Sequence, residues 1–257
     1  MMGPFGDVSV ELHDDFVATV ELHRPPNNHF DIELIRSLAE AFEALDGEPG
    51  CRAIVLCSEG RHFCAGADFS GRAGPIGDGS RHLYDEAVRL FAARTPVVAA
   101  VQGAAVGGGL GLALAADFRV ASPEARFVAN FARLGFHHGF ALSVTLPLVV
   151  GGQRALELLL TGRRVPGEEA LRIGLCDRLA PAAELREAAH SLAAEIAGSA
   201  PLAVRAIRET MRVDLVRGVR AALERERAEQ ERLRTTEDFA EGVRATAERR
   251  TPRFAGR

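Results

Sequence analysis

The chain has 257 residues and a formal net charge of −4, with 47% hydrophobic and 26% charged residues. These totals are typical of a soluble globular chain with one large domain, or one domain and an appendage. Its basic residues are scattered among acids, which argues against a nucleic-acid-binding surface. The sequence contains no lysine, so a lysine base or Schiff base is excluded.

The cysteines and the apolar runs indicate the compartment. Cys51, Cys57, Cys64 and Cys176 show neither zinc-ligand spacing nor a C-x-x-C motif. We expect them to be reduced thiols in a cytoplasmic protein, with no metal site. No window holds the roughly 20 apolar residues that span a bilayer, and the first residues do not resemble a signal peptide.

The first part of the chain predicts strands around one helix. Alternating apolar residues on both sides of Asp14-Asp15 predict a hairpin. Asp31 is a helix-capping residue type, and Gly47 ends the helix that follows. Residues 53–56 predict a buried strand, and the small residues of 59–68 predict a loop. A glycine-rich loop is expected at 71–79 and a helix at 81–94.

The stretch 96–117 predicts a strand, a glycine turn and an apolar helix. A helix without a polar face is buried, so its first N–H groups lie inside the protein without helical partners. Gly107, Gly108 and Gly109 allow another group to approach this backbone closely. The helix dipole there favours an oxygen that carries negative charge. A tight strand–helix connection without a ligand is the alternative explanation.

The remaining elements change in character at residue 184. Before it we expect strands at 118–120, 127–128 and 175–179, a loop at Phe131–Gly139, and helices from about 141, at 154–160 and at 166–170. After it we expect four helical segments, at 184–197, 201–212, 215–235 and 237–249. The sequence therefore predicts an α/β core over 1–183 and a helical region over 184–257.

Two segments resemble the crotonase (enoyl-CoA hydratase/isomerase) superfamily. Residues 62–68 (HFCAGAD) resemble its F-C-A-G-A-D segment, and 102–110 (QGAAVGGGL) its N-G-x-A-x-G-G-G segment. Weaker matches occur in the family's order at 24–28, 159–163, 169–175, 238–242 and 252–254. The resemblance implies a spiral of repeated ββα units with a C-terminal helical trimerisation region.

The resemblance also implies a site for an acyl-CoA thioester. The backbone N–H groups of Ala67 and Gly108 would bind the thioester carbonyl oxygen, which gains negative charge when an enolate forms. Coenzyme A would arrive as part of the substrate, without a metal or redox cofactor. Residues matching the family's substrate-binding segments are Arg24, Asn28, His29, Cys64, Ala65, Gly66, Asp68, Gly107, Gly111 and Phe131.

The chain departs from the hydratases at their two glutamates. Counting along the family motifs places these acids at Gly111 and Phe131, and neither is an acid. Two-carboxylate hydration is therefore not expected. His137 and His138 lie where several other members place a working residue, and histidine exchanges protons near neutral pH. We predict that one of them moves the proton; solvent exposure or packing is the alternative.

Three functions follow from these observations. The first is an acyl-CoA enzyme of this family that stabilises an enolate, as an isomerase, a lyase, or a carbon–carbon bond hydrolase or decarboxylase. The second is an acyl-CoA-binding protein without catalysis. A nucleic-acid or interaction role fits the charge least. The resemblance implies a homotrimer or a dimer of trimers, with no nucleic-acid or membrane partner.

Overall fold

The structure is a computed structural model that describes residues 5–67 and 82–257. Within them, a sheet has the strand order β1-β2-β3-β4-β6-β9, and a smaller one has the order β5-β7-β8. The pairs β1–β2 and β7–β8 are antiparallel, and the other pairs are parallel. The strands are β1 Val8–Leu12, β2 Val17–Leu22, β3 Ala53–Ser58, β4 Val97–Val101, β5 Ala104–Val106, β6 Phe118–Ala121, β7 Arg126–Val128, β8 Arg164–Pro166 and β9 Arg178–Leu179.

Helices follow the strands in the order that the sequence patterns predict. Asp31 caps α1 by accepting a hydrogen bond from the Leu34 N–H at 2.9 Å. The helices are α1 Ile32–Asp46, α2 Leu83–Ala92, α3 Gly108–Ala115, α4 Leu142–Val150, α5 Gly152–Thr161, α6 Gly167–Arg172, α7 Leu185–Ala197, α8 Pro201–Leu233 and α9 Glu237–Ala247, with a 3-10 helix at Asn130–Leu134. None of the helices within the described ranges has the length and apolar character needed to cross a membrane.

Two sequence predictions about elements were wrong, and the short strands β5 and β8 were not predicted. The segments expected at 201–212 and 215–235 form one helix, α8, of 33 residues. The expected loop Phe131–Gly139 begins inside the 3-10 helix. The short strand β5, Ala104–Val106, was not predicted, because a three-residue strand beside a glycine carries no readable periodicity.

Both faces of the larger sheet are covered by helices. Helix α7 packs on one face, where Leu185, Ala189 and Leu192 join a buried cluster with residues of β2, β3, β4 and β6. The larger cluster on the other side includes α1, α2 and α3. Helix α3 is buried along its whole length. This burial places the start of α3 inside the protein, as the sequence predicts.

Candidate active site

The turn before α3 lies directly against the loop that follows β3. Cys64 pairs with Ala105, and Ala67 pairs with Phe30, in isolated parallel bridges. A Cβ atom added to Gly109 would lie 2.1 Å from the Cys64 carbonyl oxygen, and one added to Gly66 would lie 2.7 Å from the Val106 carbonyl oxygen. Only glycine fits at these two positions. We call the segments Cys64–Ala67 and Val106–Gly109 the cavity floor.

The cavity floor presents two backbone donors. Within the part of the chain that the structure describes, the Ala67 N–H has no hydrogen-bond acceptor. Gly108 is the first residue of α3, so its N–H has no intrahelical partner. At the other end of α3, the Arg212 guanidinium donates to the Ala115 carbonyl at 3.1 Å. A cation at that end complements the helix dipole, whose positive end lies at the floor.

A cavity of about 320 Å³ lies above the floor. This volume is at the small end of the range for ligand sites. One side is aromatic, with Phe30, Phe131, Phe136 and Phe140. A second side, which we call the helical wall, comes from α8, the residue after it and α9, and consists of Gln230, Arg234, Val243, Thr246 and Ala247. The cavity therefore combines apolar packing with a few polar groups.

No Asp or Glu is among the described residues that line this cavity. The titratable side chains that do line it are His29, Tyr84 and Arg234. The His29 Nδ1 atom lies 3.1 Å from the Gly66 carbonyl oxygen. An N–H at Nδ1 donates to that oxygen, which leaves Nε2 as the unprotonated nitrogen of the neutral ring. The described lining residues thus supply one imidazole, one phenol and one guanidinium.

Comparison with known proteins identifies the family. The sequence profile described as enoyl-CoA hydratase/isomerase matches residues 13–257. The chain belongs to the enoyl-CoA hydratase/isomerase family. It is therefore an acyl-CoA-processing enzyme with the crotonase fold, which confirms the predicted fold class.

Individual relatives and a solved structure support the same family assignment. The chain is 37% identical over 253 residues to a Thermus thermophilus protein named as an enoyl-CoA hydratase, covering 95% of this chain and 100% of that one. It is 35% identical over 249 residues to the carnitinyl-CoA dehydratase of Proteus mirabilis, covering 94% and 95%. The crystal structure of an enoyl-CoA hydratase/isomerase from Pseudoalteromonas atlantica has a TM-score of 0.88 at 31% identity, covering 97% and 100%.

The structure brings half of the predicted site residues to the cavity. Those that line it are His29, Ala65, Gly66, Ala67, Gly107, Gly108 and Phe131. Those that do not are Arg24, Asn28, Cys64, Gly111, His137 and His138. Asp68 and the loop expected at 71–79 lie outside the described residues.

Two of the residues outside the cavity have structural partners, and a third, Cys64, is a buried thiol. Arg24 is paired with Asp7 at 2.6 Å and with Asp31 at 2.9 Å. The buried Asn28 side chain donates to the carbonyl oxygens of Glu59 and His62, both at 2.7 Å. Burial raises the pKa of the Cys64 thiol to about 12, so this thiol is not a nucleophile at neutral pH.

Of the two positions where the sequence count expects glutamates, Gly111 has no room for a side chain, and Phe131 has an aromatic one. A Cβ atom at Gly111 would lie 2.6 Å from the Cβ atom of Phe140 and 2.7 Å from its carbonyl oxygen. Phe131 fills the second position, and its ring packs against Phe136 with centroids 5.4 Å apart. Aromatic side chains therefore stand at and beside both positions.

His137 and His138 lie behind the cavity and face other groups. Their rings stack with centroids 4.0 Å apart. The His138 Nε2 atom is 2.8 Å from the Ser143 hydroxyl, which donates to Glu226 at 2.6 Å. Burial, and to a smaller extent the nearby His137, lower the pKa of His138 to about 4. The role of either histidine in proton transfer stays a prediction.

The helical wall contains functional candidates that sequence reasoning missed. The Tyr84 hydroxyl donates to Gln230 Oε1 at 3.0 Å, and Gln230 Nε2 donates to the His137 carbonyl at 3.0 Å. Gln230 and Arg234 are one helical turn apart, so both reach the same cavity. The signal in the sequence was a glutamine and an arginine at helical spacing, which is common on solvated helices.

No metal cluster is formed by the residues that the structure describes. Across 5–67 and 82–257, no group of three or more His, Cys, Asp or Glu side chains is arranged to hold a metal ion.

Proposed function

We propose that this protein binds an acyl-CoA thioester and stabilises its enolate through the N–H groups of Ala67 and Gly108. The observation that supports the proposal is the contact between the two floor segments, together with the fact that Ala67 and Gly108 both line one cavity. When a proton leaves the carbon beside the thioester, negative charge develops on the carbonyl oxygen. Two fixed donors at a helix N-terminus stabilise this charge, and losing one such donor typically costs about 3–4 kcal/mol.

We propose His29 as the base that accepts this proton. It lines the cavity, and the Gly66 carbonyl at 3.1 Å orients its ring. Its Nε2 atom is then available to take a proton, and His29 lines the cavity, whereas His137 and His138 are not among the described lining residues. The reaction class is proton transfer beside a thioester carbonyl, as in isomerisation, elimination or carbon–carbon cleavage.

A pair of ligands tests the proposed carbonyl site without altering the protein. Butyryl-CoA and its thioether analogue S-butyl-CoA differ in the carbonyl oxygen. We expect titration calorimetry to show at least about tenfold tighter binding of butyryl-CoA, since two hydrogen bonds to a polar oxygen are lost in the analogue. Equal affinities would contradict a carbonyl site on the cavity floor, and failure of both ligands to bind would contradict an acyl-CoA site altogether.

An assay with crotonyl-CoA distinguishes hydration from proton transfer beside the thioester. Loss of the enoyl-thioester absorbance is expected to be slow or absent, because no carboxylate of the described residues lines the cavity. Exchange of solvent deuterium into the carbon beside the thioester, followed by mass spectrometry, is expected to proceed. Tight binding without exchange or turnover over a broad thioester panel would favour the second candidate, an acyl-CoA-binding protein without catalysis. The non-acidic residues Gly111 and Phe131, at the positions where glutamates are expected, support this candidate.

We also propose that the chain assembles as a homotrimer or a dimer of trimers in the cytoplasm. Helix α8 exposes large apolar side chains at Leu202, Ile207 and Met211, and clustered apolar surface of this kind is typical of subunit interfaces. Sedimentation velocity is expected to give a species of three or six chains. A monomer at micromolar concentration would contradict the assembly.

A further inference from the structure

Arg234 differs from most partly buried arginines of this protein. Arg24, Arg36, Arg89, Arg119 and Arg163 each pair with one or two carboxylates. Across 5–67 and 82–257, the guanidinium of Arg234 has no carboxylate, carbonyl or hydroxyl partner. Its position just beyond α8 nevertheless takes it into the cavity rather than into solvent.

Aromatic rings hold the Arg234 guanidinium in place. Its central carbon lies 5.9 Å from the centroid of Phe136 and 6.0 Å from that of Phe239. Such cation–π contacts orient the planar group but use none of its hydrogen-bond donors. Burial lowers the pKa of Arg234, because a cation removed from water without a partner is disfavoured. The donors are thus oriented and unused.

The charge of Glu231 acts on Arg234, but Glu231 is exposed and pairs with Arg227 at 2.8 Å. No Asp or Glu is among the described residues that line the cavity, and the start of α3 adds positive potential. An anionic group of the ligand would pair with the Arg234 guanidinium and would also be favoured by the positive potential at the start of α3. A guanidinium fork matches the two oxygens of a carboxylate better than a single-point acceptor.

We propose that Arg234 binds a carboxylate at the far end of the acyl group, so that the preferred ligands are CoA thioesters of short dicarboxylic acids. The inference rests on the proposed function, because it needs the thioester carbonyl on the cavity floor. The small cavity limits the acyl chain to a few carbons between the floor and the helical wall.

Glutaryl-CoA and valeryl-CoA test this proposal, since they have the same five-carbon chain and differ in the terminal carboxylate. We expect calorimetry to show about 10- to 100-fold tighter binding of glutaryl-CoA to the wild-type protein, the range for a hydrogen-bonded charged pair. Arg234→Gln is expected to abolish this preference, by weakening the binding of glutaryl-CoA at least about tenfold more than that of valeryl-CoA. Arg234→Met, which keeps the length of the apolar stem, is expected to do the same if glutamine disturbs the packing.

Arg232→Gln is the matched control, because Arg232 is two residues away, is exposed and pairs with Glu229 at 2.8 Å. It is expected to keep the preference for glutaryl-CoA. Glutaryl-pantetheine, which lacks the nucleotide phosphates, is expected to lose affinity in Arg234→Gln as glutaryl-CoA does.

Two results would overturn the inference and keep the proposed function. One is equal affinity of the wild-type protein for glutaryl-CoA and valeryl-CoA. The other is equal weakening of both CoA ligands, but not of glutaryl-pantetheine, by Arg234→Gln, which would assign Arg234 to a phosphate of the nucleotide. Absence of binding by every thioester would instead contradict the proposed function itself.

Discussion

The cavity floor and the helical wall bring different kinds of group to the same cavity. The floor offers backbone N–H groups from two segments that contact each other at glycines, and no side chain there is needed for the proposed chemistry. The wall offers side chains, Gln230 and Arg234, from the end of a long helix. A backbone site requires only that small residues fit, whereas a side-chain site depends on which residue stands at each position. The floor therefore suits a reaction shared by many relatives, and the wall suits a choice of ligand.

The floor is expected to be the less tolerant of the two regions. Gly109→Ala places a Cβ atom 2.1 Å from the Cys64 carbonyl oxygen, which is backbone and cannot move aside. We expect the free energy of unfolding to fall by about 4 kcal/mol or more, or the chain not to fold. Urea denaturation measures this change. Gly152→Ala is the control, because nothing lies within 4 Å of its added Cβ atom, and a loss of similar size there would contradict the explanation.

His29 stands where the floor meets the open side of the cavity, and its replacement separates chemistry from packing. His29→Asn is expected to slow deuterium exchange or turnover by about 10²- to 10⁴-fold, because a general base is removed. The thioester affinity is expected to change little. The double variant His137→Asn with His138→Asn provides the comparison, and a larger loss there than in His29→Asn would assign proton transfer to the predicted pair.

The wall is expected to depend on an ion-pair anchor far from the cavity. Asp117 accepts from Arg208 at 2.8 Å and from Arg212 at 2.7 Å, and all three are largely buried. Asp117→Asn leaves two buried cations without their carboxylate, and we expect a loss of about 3 kcal/mol in the free energy of unfolding. Glu237→Gln, which breaks an exposed pair with Arg257, is expected to cost less than about 1 kcal/mol. Equal losses of unfolding free energy in the two variants would contradict a larger contribution of the buried Asp117 pairs.

The smallest expected effect is a pH dependence of the free energy of unfolding that arises from His138. The pKa of His138 falls from 6.5 to about 4 on folding, with burial as the main cause. Between these values the unfolded chain binds the proton and the folded one does not, so the contribution of His138 to stability falls as pH drops from about 6.5 to 4. We expect a loss of about 1–3 kcal/mol.

The measurement for this prediction is the wild-type stability minus that of His138→Asn at each pH. Taking a difference matters because burial raises the pKa of the neighbouring Glu226. A raised carboxyl pKa acts in the opposite direction, since it lowers stability as pH rises above 4.5. A flat difference between pH 4 and 6.5 would contradict the assignment to His138.

The floor could be predicted from the sequence because its signals are local. Gly107–Gly109 stand next to one another after an apolar run, and the loop 62–68 resembles a family segment. Counting from these segments also predicts that Gly111 and Phe131 stand where the hydratases have two acids. That Phe140 occupies the space beside Gly111 could not be read in this way, because the contact joins residues 29 positions apart whose side chains give no pairing signal.

The helical wall could not be predicted either, because it also depends on contacts between residues that are far apart in the sequence. Arg234 reaches a cavity whose floor ends at Gly109, far earlier in the chain. Helical periodicity gives the face of a helix but not the surface that it meets. The predicted break between 212 and 215 was wrong because exposed Val213 interrupts the polar pattern without interrupting the helix.

Helix α8 joins the two regions through its register. Arg212 is tied to the far end of α3, and Arg234 lies twenty-two positions later, about 33 Å along the helix axis. One residue inserted between them would turn the Arg234 side chain by about 100° while the strands, the glycines and the anchor kept their places. Insertions and deletions in this helix therefore give evolution a way to change which acyl groups are accepted without altering the atoms that carry out the reaction.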